Sequence, residues 1–194
     1  MATTVIQGFQ QFMSNLEITD LQSTTASDRQ SSVRNIIKKE LTVTDDFLTG
    51  SYRRNTMIRP LKEADVDVFV VLHSDYFSTT TPRAILDKLK RILVDHYSQG
   101  IDISRNGQAV TIRYSDFKVD VVPAFNRQGG GYLIPNSSDQ SWIGTDPKSH
   151  VTIWSQMNSN KSGNFVPVSK ALKRWKNTKC DTIRSFHLET LALS

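Results

Sequence analysis

At 194 residues, 38% of them hydrophobic, the chain can build one compact domain with room for a second lobe, and it is too apolar for wholesale disorder. Its net charge of +5 and pI near 9.4 fit a nucleotide-binding cleft or a nucleic-acid contact, and no stretch approaches the roughly 20 apolar residues of a membrane span. The single cysteine, Cys180, excludes an internal disulfide and a cysteine zinc cluster, and with no basic-then-apolar leader at the start the expected home is a reducing cytoplasm.

Val5, Ile6, Phe9, Phe12, Met13 and Leu16 recur at spacings of three and four, which predicts an amphipathic helix within residues 1–22. Ser23-Thr24-Thr25 offers caps for a second helix through about Leu41, with Val33, Ile36, Ile37 and Leu41 on one face. Asp46 to Thr49 reads as a short strand leading into Gly50-Ser51, and Asp65 to Leu72 as a buried strand. Pro82 opens a helix that closes near Gly100. Asn106-Gly107 then signals a hairpin between strands 101–105 and 108–114. The strand from Phe117 carries Asp120 and is expected to stop at Pro123. Gln128-Gly129-Gly130-Gly131 reads as a flexible loop, a plain linker ahead of a cover over a nucleotide.

Beyond it the composition turns helical. Asp146-Pro147 marks one helix start, and a second helix runs from Pro167 to Lys176 with Val168, Leu172 and Trp175 aligned. Ser185 is expected to cap a last helix through Leu193. The whole is an α+β fold: a mixed α/β palm over residues 1–140 and a helical lobe over 141–194.

The chemistry concentrates on three acids. A strand alternates its side chains, so Asp65 and Asp67 emerge on one face. Two carboxylates that close repel each other unless a cation sits between them, and Mg²⁺ is a hard ion held by one or two carboxylates plus substrate phosphates. Asp120, set among valines, adds a third acid. Three carboxylates can hold two ions about 3.5–4 Å apart, the arrangement that clamps both oxygens of an in-line phosphoryl displacement. His73, His96, His150 and His187 show no ligand spacing, and no P-loop signature is present.

The ordered series Gly-Ser-Tyr-x-Arg-x-Thr-x-Ile at 50–58, Asp-Val-Asp-Val at 65–68, Val-Asp-Val-Val-Pro-Ala at 119–124, Thr145-Asp146-Pro147, Lys173-x-Trp175 and Ser185-Phe186-His187-Leu188-Glu189 resembles the bacterial second-messenger oligonucleotide or dinucleotide synthetases. These are relatives of cyclic GMP–AMP synthase within the DNA polymerase beta-type nucleotidyltransferases. The similarity runs from about residue 25 to the end, with Asn55 where the family often has Gly.

The resemblance implies a polymerase beta-type palm with a helical C-terminal lobe that stops short of the family's usual length. It implies Asp65, Asp67 and Asp120 as catalytic acids holding two Mg²⁺ or Mn²⁺ ions. It implies Gly50 and Ser51 at the triphosphate, with Lys173 and Ser185 on phosphates and Phe186 either against a base or in the core. Lys176, about 300° further round the helix than Lys173, is expected to contribute far less. Substrates would be ATP, GTP or other NTPs, with a possible activating protein partner or RNA, no membrane, and a role in antiphage defence. The alternatives are nucleotide transfer to a protein or RNA acceptor, and an inactive nucleotide- or RNA-binding fragment.

Overall fold

The computed structural model describes residues 4–97, 100–180 and 182–193. Two helices open the chain, α1 (Val5–Leu16) and α2 (Asp20–Glu40). The first three residues of the helix expected within 1–22 lie outside the described residues. α2 starts earlier than its Ser-Thr-Thr run suggests. Thr19 is the true cap, its hydroxyl accepting from the Gln22 N–H while the Gln22 side chain accepts from the Thr19 N–H, a complete capping box. Thr25 lies inside the helix and donates back to the Leu21 carbonyl.

Five strands form the body of the sheet in the order β1 (Val43–Thr49), β2 (Asp65–Leu72), β5 (Lys118–Asn126), β4 (Ala109–Arg113), β3 (Asp102–Asn106). β2 and β5 run parallel and the other pairs antiparallel. The short helices α3 (Gly50–Arg53) and α4 (Ser74–Thr79) follow β1 and β2, and α5 (Pro82–Tyr97) lies in the connection between β2 and β5. Val33 and Ile37 of α2, with Leu86, Leu89 and Leu93 of α5, share one buried cluster with Val66, Val68, Val70, Val119 and Val121. That cluster fixes which way the two central strands face.

Three details differ from expectation. The hairpin turn is Gly107-Gln108, since Asn106 still pairs with Ala109, and the positive φ of 59° at Gly107 is what a two-residue turn with glycine first requires. β5 runs straight through Pro123. That residue stands between the last β4 pair, at Val121, and the first β6 pair, at Phe125, where no ladder hydrogen bond is demanded of it on that side. And the sheet continues past the glycine run as β6 (Tyr132–Pro135) and β7 (Trp142–Thr145), so its last strand ends beyond residue 140.

The remaining helices, α6 (Pro147–Asn160), α7 (Phe165–Lys179) and α8 (Ser185–Leu191), form the helical lobe, and α1 packs against α7. The Lys170 ammonium meets the Glu17 carboxylate at 2.6 Å there. α7 is turned over relative to its apolar pattern. Val168 and Trp175 are about half exposed, while Ser169, Lys170 and Lys173 are buried. Val5, Ile6 and Phe9 of α1 are likewise exposed. Among the described residues, no helix is long and apolar enough to cross a membrane.

Candidate active site

The alternation of β2 sends Val66, Val68 and Val70 into the core and leaves Asp65, Asp67 and Phe69 on the opposite face, lining a cleft. β5 repeats this with Val119 and Val121 inside and Asp120 and Val122 in the cleft. The parallel register sets Asp67 directly beside Asp120, on strands about 4.8 Å apart. All three expected acids therefore meet on one surface.

Their electrostatics record the crowding. Burial, then the charges of Asp120 and Asp65, pushes Asp67 from 3.8 up to about 7, against the pull of Arg54 and Lys173. Burial also raises Asp120, with Asp65 adding to the shift and the nearby Thr111 hydroxyl opposing it. Neither Asp120 Oδ1 nor Thr111 Oγ1 has a hydrogen-bond partner among the described residues, although both are buried. Asp65 is more open, with Lys118 Nζ at 3.8 Å. No three side chains of the ligating types already stand as a closed metal cluster among the described residues. The chemistry nonetheless fits a hard divalent cation: crowded oxygen donors, one of them buried without a partner, whose repulsion such an ion would relieve.

β1 carries the chain along β2, with Thr49 beside Asp67, and then turns sharply at Gly50. Two constraints demand glycine there. Its φ of 66° is left-handed, and a Cβ would fall 1.6 Å from Asp67 Oδ2. The Gly50 backbone is thus pressed against the Asp67 carboxylate, and Ser51 follows it on the cleft wall. Asn55, at φ 56°, takes the left-handed position where glycine is the common solution.

The cleft measures about 1000 Å³, at the upper end for small-molecule sites, and the lobe forms its far wall. Lys173, Ser185 and Phe186 all reach it. Lys173 does so as a buried cation engaged elsewhere. Its Nζ lies 2.5 Å from Glu189 Oε1 and donates to the Thr56 carbonyl at 3.0 Å and the Thr56 hydroxyl at 3.2 Å. Burial lowers its pKa, with the Glu189 charge opposing. Glu189 also takes Arg54, through Nε at 3.1 Å and a second nitrogen at 3.0 Å. Arg54, Thr56 and Glu189 stand inside the sequence motifs but had no expected role; the signal was a carboxylate next to Leu188, the two buried residues of a helix that is otherwise largely exposed.

Ser185 is the first residue of α8, not its cap. Arg184 holds the cap position, with no side-chain cap bond, so the Ser185 hydroxyl is not spent on the helix. Phe186 takes the packing role that was one of its two expected alternatives. It stacks on Trp154 at 5.7 Å and 20° and is still 42% exposed toward the cleft. Lys176 also lines the cleft. A rotation of about 300° is the same as about 60° the other way, so Lys173 and Lys176 share a helix face. Asp65, Asp67, Asp120 and Glu189 are the cleft's carboxylates; Arg54, Lys173, Lys176 and Arg184 are its cations.

A mixed sheet with paired acids on its cleft face, backed by helices and walled by a helical lobe, is the architecture of the polymerase beta-type nucleotidyltransferases. The solved CdnG of Bradyrhizobium diazoefficiens, in complex with GTP, superposes with a TM-score of 0.79 at 15% identity, over 98% of this chain and 71% of that one. The CdnC of Escherichia coli, solved with a HORMA protein, gives 0.69 at 18% identity, over 95% and 61%. At such identities the likeness speaks for the fold alone. In sequence, the profile of the Second Messenger Oligonucleotide or Dinucleotide Synthetase domain matches residues 3–158, and the chain belongs to that family. It is similar to the cyclic AMP-AMP-AMP synthase of an Acinetobacter species, 30% identical over 198 residues. That alignment covers 94% of this chain and 57% of the relative, so the chain spans little more than half the relative's length.

Proposed function

We propose that the protein joins nucleoside triphosphates into cyclic or linear oligonucleotide second messengers, releasing pyrophosphate. The observation that carries the reading is the in-register pair Asp67 and Asp120, with Asp65 beside them, on the floor of a cleft whose Gly50 backbone touches Asp67.

Ser51 and Ser185 both line the cleft, and each would offer a hydroxyl to a triphosphate. Two divalent ions, Mg²⁺ or Mn²⁺, held by Asp65, Asp67 and Asp120, would neutralise the charge that develops on the transferred phosphoryl group. A ribose hydroxyl forms the new O–P bond at the α-phosphorus, the bond to the β-phosphate breaks, and pyrophosphate leaves. Asp120, its Oδ1 free of protein partners, accepts the hydroxyl proton. Positioning and charge neutralisation supply most of the rate. Phe186 offers its cleft face to a base.

The relative's name points to ATP as the first donor to test, ahead of GTP. Antiphage defence in the cytoplasm and activation by a protein partner or RNA complete the reading. The partner follows the CdnC complex by analogy. Incubation with labelled NTPs and Mg²⁺ or Mn²⁺, followed by separation of products, decides it. A cyclic or short linear oligonucleotide supports it. A labelled protein or RNA acceptor, or no product with any partner tried, overturns it.

A further inference from the structure

Residues paired across neighbouring strands share a face, and the register strings a polar row along the acid-bearing face of the sheet. Asp67, Asp120, Thr111 and Ser104 follow one another on β2, β5, β4 and β3. β4 repeats the alternation of the other two strands, with Val110 and Ile112 in the core cluster and Thr111 on the side of the acids. Thr111 is 1% exposed and is not among the residues that line the cleft. Four buried side-chain nitrogen and oxygen atoms stand without a hydrogen-bond partner among the described residues. Two of the four, Thr111 Oγ1 and Asp120 Oδ1, belong to residues directly opposite one another on β4 and β5. A valine has the shape of threonine and would fill this place in a strand without burying a polar group, so packing gives no reason for the hydroxyl.

Opposite residues of an antiparallel pair hold their Cβ atoms about 4.5–5.5 Å apart, so a rotation about χ1 brings a hydroxyl and a carboxylate into contact. Of the two polar neighbours of Thr111 in the row, Ser104 already accepts from Arg113, and Asp120 carries the charge that makes the stronger acceptor. We propose that Thr111 is a positioning residue of the metal site: its hydroxyl donates to Asp120 Oδ1 and fixes the plane in which that carboxylate meets a divalent ion. This rests on the nucleotidyltransferase reading of the cleft and on the ions it calls for. A carboxylate has about four lone-pair sites, so the bond leaves the others for the ion and for the ribose proton. Thr111 acts through Asp120, without contact to ion or nucleotide, and a hydrogen bond that orients a ligating carboxylate typically governs metal affinity by 10–100-fold.

The probe is Mn²⁺ alone, without nucleotide, because electron paramagnetic resonance reads the free ion directly. It is titrated into the parent, Thr111→Val and Thr111→Ser, beside melting curves in EDTA and rates of product formation from labelled ATP. Thr111→Val should weaken Mn²⁺ binding by about tenfold or more and slow product formation by a similar factor, with a melting temperature at or above that of the parent. Thr111→Ser keeps the hydroxyl and loses a buried methyl. It should lower the melting temperature and still hold Mn²⁺ within about threefold of the parent. Mn²⁺ binding by Thr111→Val within about threefold of the parent would overturn the role of Thr111 and leave the reading of the cleft standing. An equal loss of affinity in Thr111→Ser and Thr111→Val would trace the effect to packing and overturn it as well. If the unaltered protein binds no Mn²⁺, the metal reading of the cleft fails, and this one with it.

Discussion

Gly50→Ala is the sharpest perturbation the structure offers. An L-residue at φ 66° costs about 1–2 kcal/mol, and that cost alone would be tolerable. The same cost applies at Gly129, at φ 87°, where an added Cβ meets nothing within 4 Å. In a domain of this size 1 kcal/mol moves the melting temperature by roughly 2–4 °C, so Gly129→Ala should lose roughly 2–8 °C and keep its turnover. At Gly50 the new carbon would lie 1.6 Å from Asp67 Oδ2 and 2.6 Å from its carboxyl carbon. The carboxylate must retreat by more than about 1 Å, a displacement that in a catalytic site costs on the order of a hundredfold in rate. Product formation from labelled ATP with Mg²⁺, measured for both variants beside their melting curves, separates collision from strain. The reasoning fails if Gly50→Ala turns over within tenfold of the parent. It fails equally if Gly129→Ala loses as much activity.

The other expectations concern the acids, the buried ion network and the nucleotide. Asp65→Asn combined with Asp67→Asn should abolish product while the fold survives; retained turnover would remove the acids from the mechanism. In EDTA, Asp67 titrates near 7 when folded against 3.8 when unfolded, so the folded state keeps a proton that the unfolded chain has released. Its carboxyl costs no stability below about pH 4, erodes stability as the pH rises toward 7, and adds no further loss above that. The melting temperature of Asp67→Asn should accordingly pull ahead of the parent between pH 4 and 7, and a pH-independent difference would contradict the burial. Glu189→Gln leaves two buried cations poorly compensated, a loss of about 3–5 kcal/mol and roughly 6–20 °C in melting temperature; an unchanged melting curve would mean that the network carries nothing. ATP with Mg²⁺ should stabilise the fold by about 2.7 kcal/mol at a hundredfold excess over Kd, and ATP without metal by much less. An equal rise in EDTA would argue against a metal-bridged triphosphate.

The face that gathers the three acids was legible in the sequence because strand periodicity is rigid. Once Val66, Val68 and Val70 are assigned to the core, Asp65 and Asp67 have only one place to go. The same holds for Asp120 between Val119 and Val121, and even the register that sets it beside Asp67 agrees with the paired-acid reading. What escaped were features that depend on partners distant in sequence. β6 and β7 are short, four residues each, and only partly buried, so their hydrophobic pattern is weak, and only pairing, of β6 with β5 and of β7 with β6, makes them strands. Pro123 looked like a terminus because the gap between β4 and β6 that tolerates it is a property of the sheet, not of the strand.

The inversion of α7 is the deepest of these misreadings, and it explains the others around the site. Its apolar residues Val168, Leu172 and Trp175 define a face by composition, and in a helix packed on an apolar core that face would point inward. Here the inward neighbour is a cleft wall built from Glu189, Thr56 and Arg54, so the helix buries Ser169 and Lys173 instead. A cation can be buried only beside an anion, so Lys173 in the cleft wall requires a carboxylate such as Glu189, and Glu189 in turn takes Arg54 from the turn that carries Ser51. The lobe is thereby locked to the palm through charge where an apolar seam would otherwise be expected.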